Sequence, residues 1–155
     1  MERVFNLREL ELERLEEGPE RHRFSARSPG QALGALLTGL SVYEVEPGQA
    51  TWPYHFELIE EEWLLVVEGE LTVRTPEGEQ TLRAGDIVCF PQGAAGAHAV
   101  RNDGSVPARF AMTSSAAGDG GGAIYPDTGL FVLYGPGFQH RGRLGEAVEY
   151  WEGTS

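Results

Sequence analysis

His55 and Glu57 stand two residues apart, Glu62 follows in the next segment, and His98 lies far downstream in a stretch punctuated by Gly and Pro. Residues two apart on a strand point to the same face of its sheet. Two imidazoles with one or two carboxylates suit a first-row divalent metal. Three residues from one hairpin and a histidine from another can meet inside a β-barrel. The competing reading is that His55 and His98 are hydrogen-bonded core residues. Glu57 is open between a ligand and a pocket residue that serves as a base.

The elements that must position these groups are strands. From Ala32 onward, short β-prone runs alternate with turns built on Gly and Pro, 21 and 9 in all. Leu36 to Val45 reads as a strand ending at Pro47-Gly48, followed by Trp52 to Glu57 and Glu62 to Val67. Leu71-Thr-Val73 alternates as a half-buried strand does. Ile87 to Phe90 follows the turn at Gly85, and Arg109 to Ser114 carries Phe110 and Met112 on one face. Strands at this spacing predict a sandwich or barrel. Gly118 to Gly122 reads as a mobile loop or linker. The aromatic segment from Tyr125 to Trp151 is too apolar for a disordered tail and is expected to pack. Residues 1–31 carry 7 acidic and 6 basic side chains with no clear period. They read as an arm on a single barrel domain, 32–155, or as a segment that pairs with a second subunit.

The chain has 155 residues, 41% of them hydrophobic and 23% charged, which predicts one globular domain with a real core. A formal net charge of -12 argues against nucleic acid and anionic membrane as partners. All 12 basic residues are Arg, so no lysine serves as Schiff-base former or general base. Cys89 is the sole cysteine, which excludes an intrachain disulfide; it is expected to be buried and unreactive. The charged N-terminal stretch has no apolar core of a leader, and no run approaches the roughly 18 apolar residues of a membrane span. A cytoplasmic location is therefore the expectation.

Two segments resemble the sequence motifs of the cupin superfamily. In the first, Gly48 precedes His55 by seven positions, Glu57 stands where a second His is usual, and Glu62 and Gly69 fall in register. In the second, Gly85, Pro91 and Gly93 fit, His98 comes two residues late, and Asn102 fits. The resemblance covers about residues 36 to 114. More narrowly, the chain is similar to small single-domain bacterial cupins of unsettled activity, some labelled sugar-phosphate-isomerase-like. Phe90 to His98, Tyr125 to Gly129 and Glu149 to Gly153 match elements of that group.

The resemblance implies an all-β jelly roll, a double-stranded β-helix barrel with a short N-terminal arm, and a homodimer. It implies that His55, Glu57, Glu62 and His98 bind one divalent transition metal (Mn, Fe, Zn or Ni), and that Asn102 secures a turn. Tyr54, Trp63, Tyr125 and Asp127 become candidates for the pocket around a small-molecule ligand. Two functions follow as expectations. One is a metal-dependent enzyme, isomerase- or dioxygenase-like, on a small polar metabolite, with Glu57 as base if unligated. The other is a non-enzymatic small-molecule-binding cupin with a structural metal or none.

Overall fold

The computed structural model describes residues 4–16, 18–115, 120–145 and 152. The strands, in chain order, are β1 (Glu13–Arg14), β2 (Ser25–Arg27), β3 (Thr38–Val45), β4 (Phe56–Glu57), β5 (Glu62–Glu68), β6 (Glu70–Thr75) and β7 (Gly78–Arg83). They continue as β8 (Ile87–Phe90), β9 (Ala99–Arg101), β10 (Ala108–Ser115), β11 (Gly121–Tyr125), β12 (Leu130–Gly135) and β13 (Phe138–Arg143). Two short 3-10 turns, Glu20–His22 and Ala94–Gly96, are the only helical pieces among the described residues, and none is long and apolar enough to cross a membrane.

Every ladder is antiparallel. One sheet runs β1-β2-β3-β10-β5-β8, a second β13-β12-β11-β4, and a third β7-β6-β9. Isolated bridges at Ala50↔Arg101 and His55↔His98 stitch the segment before β4 to the segment around β9. The result is the expected jelly-roll barrel, built as sheets whose inner faces meet over one core.

The alternation of β5 shows why these residues form this sheet. Leu64 and Val66 are buried while Trp63 and Leu65 are exposed, as a period of two requires when one face is covered. β10 pairs with both β3 and β5 and sets Phe110 between Tyr43 and Val66. Phe110 stacks on Tyr43 at a centroid distance of 4.9 Å, and Phe24 from the N-terminal segment closes the same cluster. Residues 13–14 and 25–27 therefore extend the large sheet through β2–β3 pairing. Asn102 is fully buried and satisfied: its Nδ2 donates to Val45 O and Val106 O, each at 2.8 Å, and its Oδ1 accepts from Gly104 N at 2.8 Å. It ties two turns together, as the motif implied.

Two expectations need correction. Gly121 and Gly122 are not loop but lie in β11, paired with Tyr134 and Leu133. A Cβ on Gly122 would lie 2.5 Å from Val132 O, so the glycine permits close strand approach rather than mobility. Gly118 and Asp119 fall outside the described residues, as do Glu149 to Trp151 and Gly153. Cys89 is only half-buried, because the parity it shares with Ile87 belongs to the outer face of β8, where Ile87 is 59% exposed. Partial burial and the nearby Glu61 carboxylate push its thiol up, away from reactivity.

Candidate metal centre

The two histidines are brought together by the backbone itself. His55 N donates to His98 O at 3.0 Å and His98 N donates to His55 O at 2.8 Å. Their rings lie 4.8 Å apart and both are buried. Each Nδ1 sits on a local carbonyl, Pro53 O at 2.8 Å for His55 and Gly96 O at 2.9 Å for His98. A carbonyl only accepts, so both rings carry their proton on Nδ1 and aim the Nε2 lone pair inward. Gly96 makes the second contact possible: a Cβ there would lie 1.7 Å from Pro91 O. Phe90 stacks flat on His98 at 3.8 Å, and Tyr125 on His55 at 5.4 Å.

Two carboxylates face these lone pairs. Glu62, the first residue of β5, puts Oε2 3.6 Å from His98 Nε2; Glu57 puts Oε1 3.7 Å from His55 Nε2. Ligating atoms of His55, Glu62 and His98 all fall within 4.8 Å of one another, with Glu57 beside His55 at the edge of that group. Opposite ligands of one ion with bonds near 2.1 Å stand roughly 4 Å apart, so small side-chain shifts would bring three ligands onto one centre.

These contacts have the spacing of ion pairs but not the charges. Burial, with the neighbouring His55, holds His98 down to about 4, and burial lowers His55 as well. Both rings are neutral at neutral pH. Burial pushes Glu57 up to about 8, with further repulsion from Glu62 and Glu60, and pushes Glu62 up to about 7, with repulsion from Glu60. Glu57 Oε2 and Glu62 Oε2 are buried with no hydrogen-bond partner. Two inward-facing neutral imidazoles and two carboxylates with unpartnered oxygens form a donor set that fits one of the first-row divalent ions.

The cavity over this cluster holds about 90 Å³ and is walled by Tyr43, Trp52, Phe110 and Met112. Of these, Tyr43 carried no site signal in the sequence, while Phe110 and Met112 were expected on one shared face. The four pocket candidates separate. Tyr125 packs on His55, and burial and the Glu57 charge raise its phenol. Tyr54 and Asp127 lie in a different, outer cleft. Trp63 points away from the barrel interior, 44% exposed, its indole donating to Glu61 Oε1 at 2.8 Å. Glu60 Oε1 accepts from Tyr134 OH at 2.9 Å. His140 lies exposed on β13 against Phe131.

Residues 41–114 match the family model described as a cupin domain. Among solved structures, the chain is similar to a sugar phosphate isomerase from a cupin superfamily, from Silicibacter pomeroyi DSS-3. The TM-score is 0.80 at 24% identity, over 95% of this chain and 97% of that one. It is also similar to a predicted oxalate decarboxylase of Thermotoga maritima, with a TM-score of 0.60 at 17% identity over 72% and 97% of the two chains. The polyketide cyclase RemF of Streptomyces resistomycificus gives a TM-score of 0.60 at 22% identity over 74% and 80%. At these identities the likeness speaks to the fold. No curated protein matches the chain in sequence. The cupin-domain match over residues 41–114 lies on a jelly-roll barrel of this topology, so the chain carries a cupin domain on the fold of a small cupin.

Proposed function

We propose that this cupin is a metal-dependent enzyme, isomerase- or dioxygenase-like, acting on a small polar metabolite. One divalent transition metal (Mn, Fe, Zn or Ni) would be held by His55, Glu62 and His98, with Glu57 either completing the set or standing beside it. The observation that carries this reading is the convergence of two inward Nε2 lone pairs on two buried carboxylates with unpartnered oxygens. Such an ion, when bound, supplies Lewis-acid polarisation of a carbonyl or a centre for oxygen chemistry.

The chain's own groups set the rest. Glu57, raised to about 8 by burial and by Glu62, holds a proton near neutral pH and is suited to pass it to or from a ligand if it is not itself coordinated. A cavity of about 90 Å³ admits only a ligand of a few heavy atoms, or the reacting end of a larger one. Phe110 and Met112 give one side of it an apolar wall.

Elemental analysis of the untagged protein beside a His55→Ala/His98→Ala variant tests this. The expected result is about one equivalent of metal per chain in the wild type, lost in the folded variant. No metal after reconstitution would sink the enzyme reading and leave a barrel that binds an organic ligand directly. Metal with no turnover on small aldoses, hydroxy acids or diketones would favour the binding-protein alternative.

We also propose a homodimer, with residues 1–31 acting as an arm on a single barrel domain. What supports it is the outer face of β5 and β8, where Trp63 pairs with Cys89 and Leu65 with Ile87. Trp63, Leu65 and Ile87 are 44%, 36% and 59% exposed beside an edge strand. Sedimentation of wild type and Ile87→Glu should give a dimer and a monomer; a monomeric wild type would overturn the proposal.

A further inference from the structure

The outer side of the three-stranded sheet carries a second, larger cleft of about 310 Å³, which adjoins the inner cavity at Trp52, Ala99 and Val100 but is lined by none of the four residues of the metal cluster. Its size falls within the range of small-molecule sites, whereas the inner cavity is well below it. Side-chain alternation explains the separation: Val73 and Val100 point into the core, so Arg74 and Arg101 point outward. Ala99, opposite Arg74 in register, leaves the floor low.

Three of the chain's twelve arginines line this one cleft, against two carboxylates, Glu79 and Asp127. Arg101 also holds Asp103, so what sets the cleft apart on a chain with a net charge of -12 is not its sign but the way its arginines are partnered. Two of the arginines are locked. Arg74 holds Asp127 with bonds of 2.6 and 3.0 Å, and Arg101 holds Glu79 with bonds of 2.6 and 2.7 Å. The third is not: Arg21 makes no ion pair among the described residues. Its backbone is pinned at the rim, where Arg21 O accepts from Ala50 N at 2.7 Å. The next residue is held too, since the His22 ring contacts Thr51 O.

The walls are flat. The Arg74 guanidinium lies 3.8 Å over the Tyr54 ring, and Pro53 and Trp52 also line the cleft. Because Asp127 fixes the guanidinium, its plane is presented to a ligand without further ordering. One unpaired cation at the rim and stacked planes inside define the complementary ligand.

We propose that this cleft is a second binding site, for a planar or aromatic molecule bearing one oxyanion, with the oxyanion on Arg21 and the plane against the Tyr54–Arg74 stack. The inference does not depend on the metal or on the proposed activity. Calorimetric titration with benzoate tests it, with benzamide as the neutral control of the same shape. Benzoate should bind saturably, benzamide should not displace it, and Arg21→Ala, an exposed change, should weaken benzoate about ten-fold or more. Amide resonances of Ala99 and Arg101 should shift during the titration. The His55→Ala/His98→Ala variant should bind benzoate as the wild type does. Absence of saturation at about 10 mM benzoate would overturn the proposal. So would unchanged affinity in Arg21→Ala, or loss of binding in the double-histidine variant, which would put the carboxylate on the metal.

Discussion

The inner and outer faces of the barrel use the same kinds of charged residue in opposite ways. Outside, Arg74 meets Asp127, and Arg101 meets both Glu79 and Asp103, each pair at hydrogen-bond distance and in water. Inside, Glu57 and Glu62 face neutral imidazoles, and each leaves an oxygen without a partner. Exposed pairs cost little to form and contribute little. Buried carboxylates without a cation oppose folding and persist only when something else uses them. The contrast teaches where to look for function in this chain: in the charges left incomplete. Asn102 sharpens the point, because it is as buried as the histidines yet makes all its hydrogen bonds, and it serves only the fold.

The largest effect should come from completing or removing the inner set. Glu62→Gln should weaken metal binding by more than about 100-fold, read by competition with a chromophoric chelator, while the exposed Glu79→Gln leaves affinity unchanged. Equal effects would erase the distinction between the two faces. Next, Asn102→Leu should lower stability by about 3 kcal/mol in urea melts, because it orphans two buried carbonyls and an amide. Its folded fraction should still bind metal.

A smaller effect separates the faces by pH. In the metal-free protein, Glu57 and Glu62 titrate at about 8 and about 7, above their ordinary value of 4.5, so the folded state holds protons that the unfolded state has lost. That part of the stability falls as pH rises toward 8. His98, depressed to about 4 from 6.5, acts in the opposite sense, and only between those values. From pH 6.5 to 8 the carboxylates act alone, and stability should drop by about 1 kcal/mol after allowance for solvent screening. Glu57→Gln should flatten the decline; a stability that rises over this interval would contradict it. The smallest effect belongs outside: Arg101→Ala should move Tm by no more than about 2 °C.

Much of this was legible because turn chemistry and period two are local signals. The Gly-Pro punctuation marked the strands from Thr38 to Ser115, and the frames around His55, Glu62 and His98 located the residues that the barrel brings together. What escaped was non-local. Gly121 and Gly122 read as a loop because composition does not show that β12 presses against them. Trp63 and Cys89 were misplaced because alternation tells which residues share a face, not which face is inside. Tyr54 was expected at the pocket from its place beside His55 and Asp127 from the resemblance of its Tyr-Pro-Asp element; Arg74, from another hairpin, draws both to the outer cleft. The N-terminal segment had no period to read, since its strands of two and three residues are recruited by β3.

The backbone bridge between His55 and His98 has a consequence in time. The bridge closes a long loop of chain, so it exists only where the strands on either side have been brought together. An unfolded or half-folded chain has no paired imidazoles to offer. On the proposed reading, metal would be taken up only by barrels that have already closed, and its occupancy would record completed assembly.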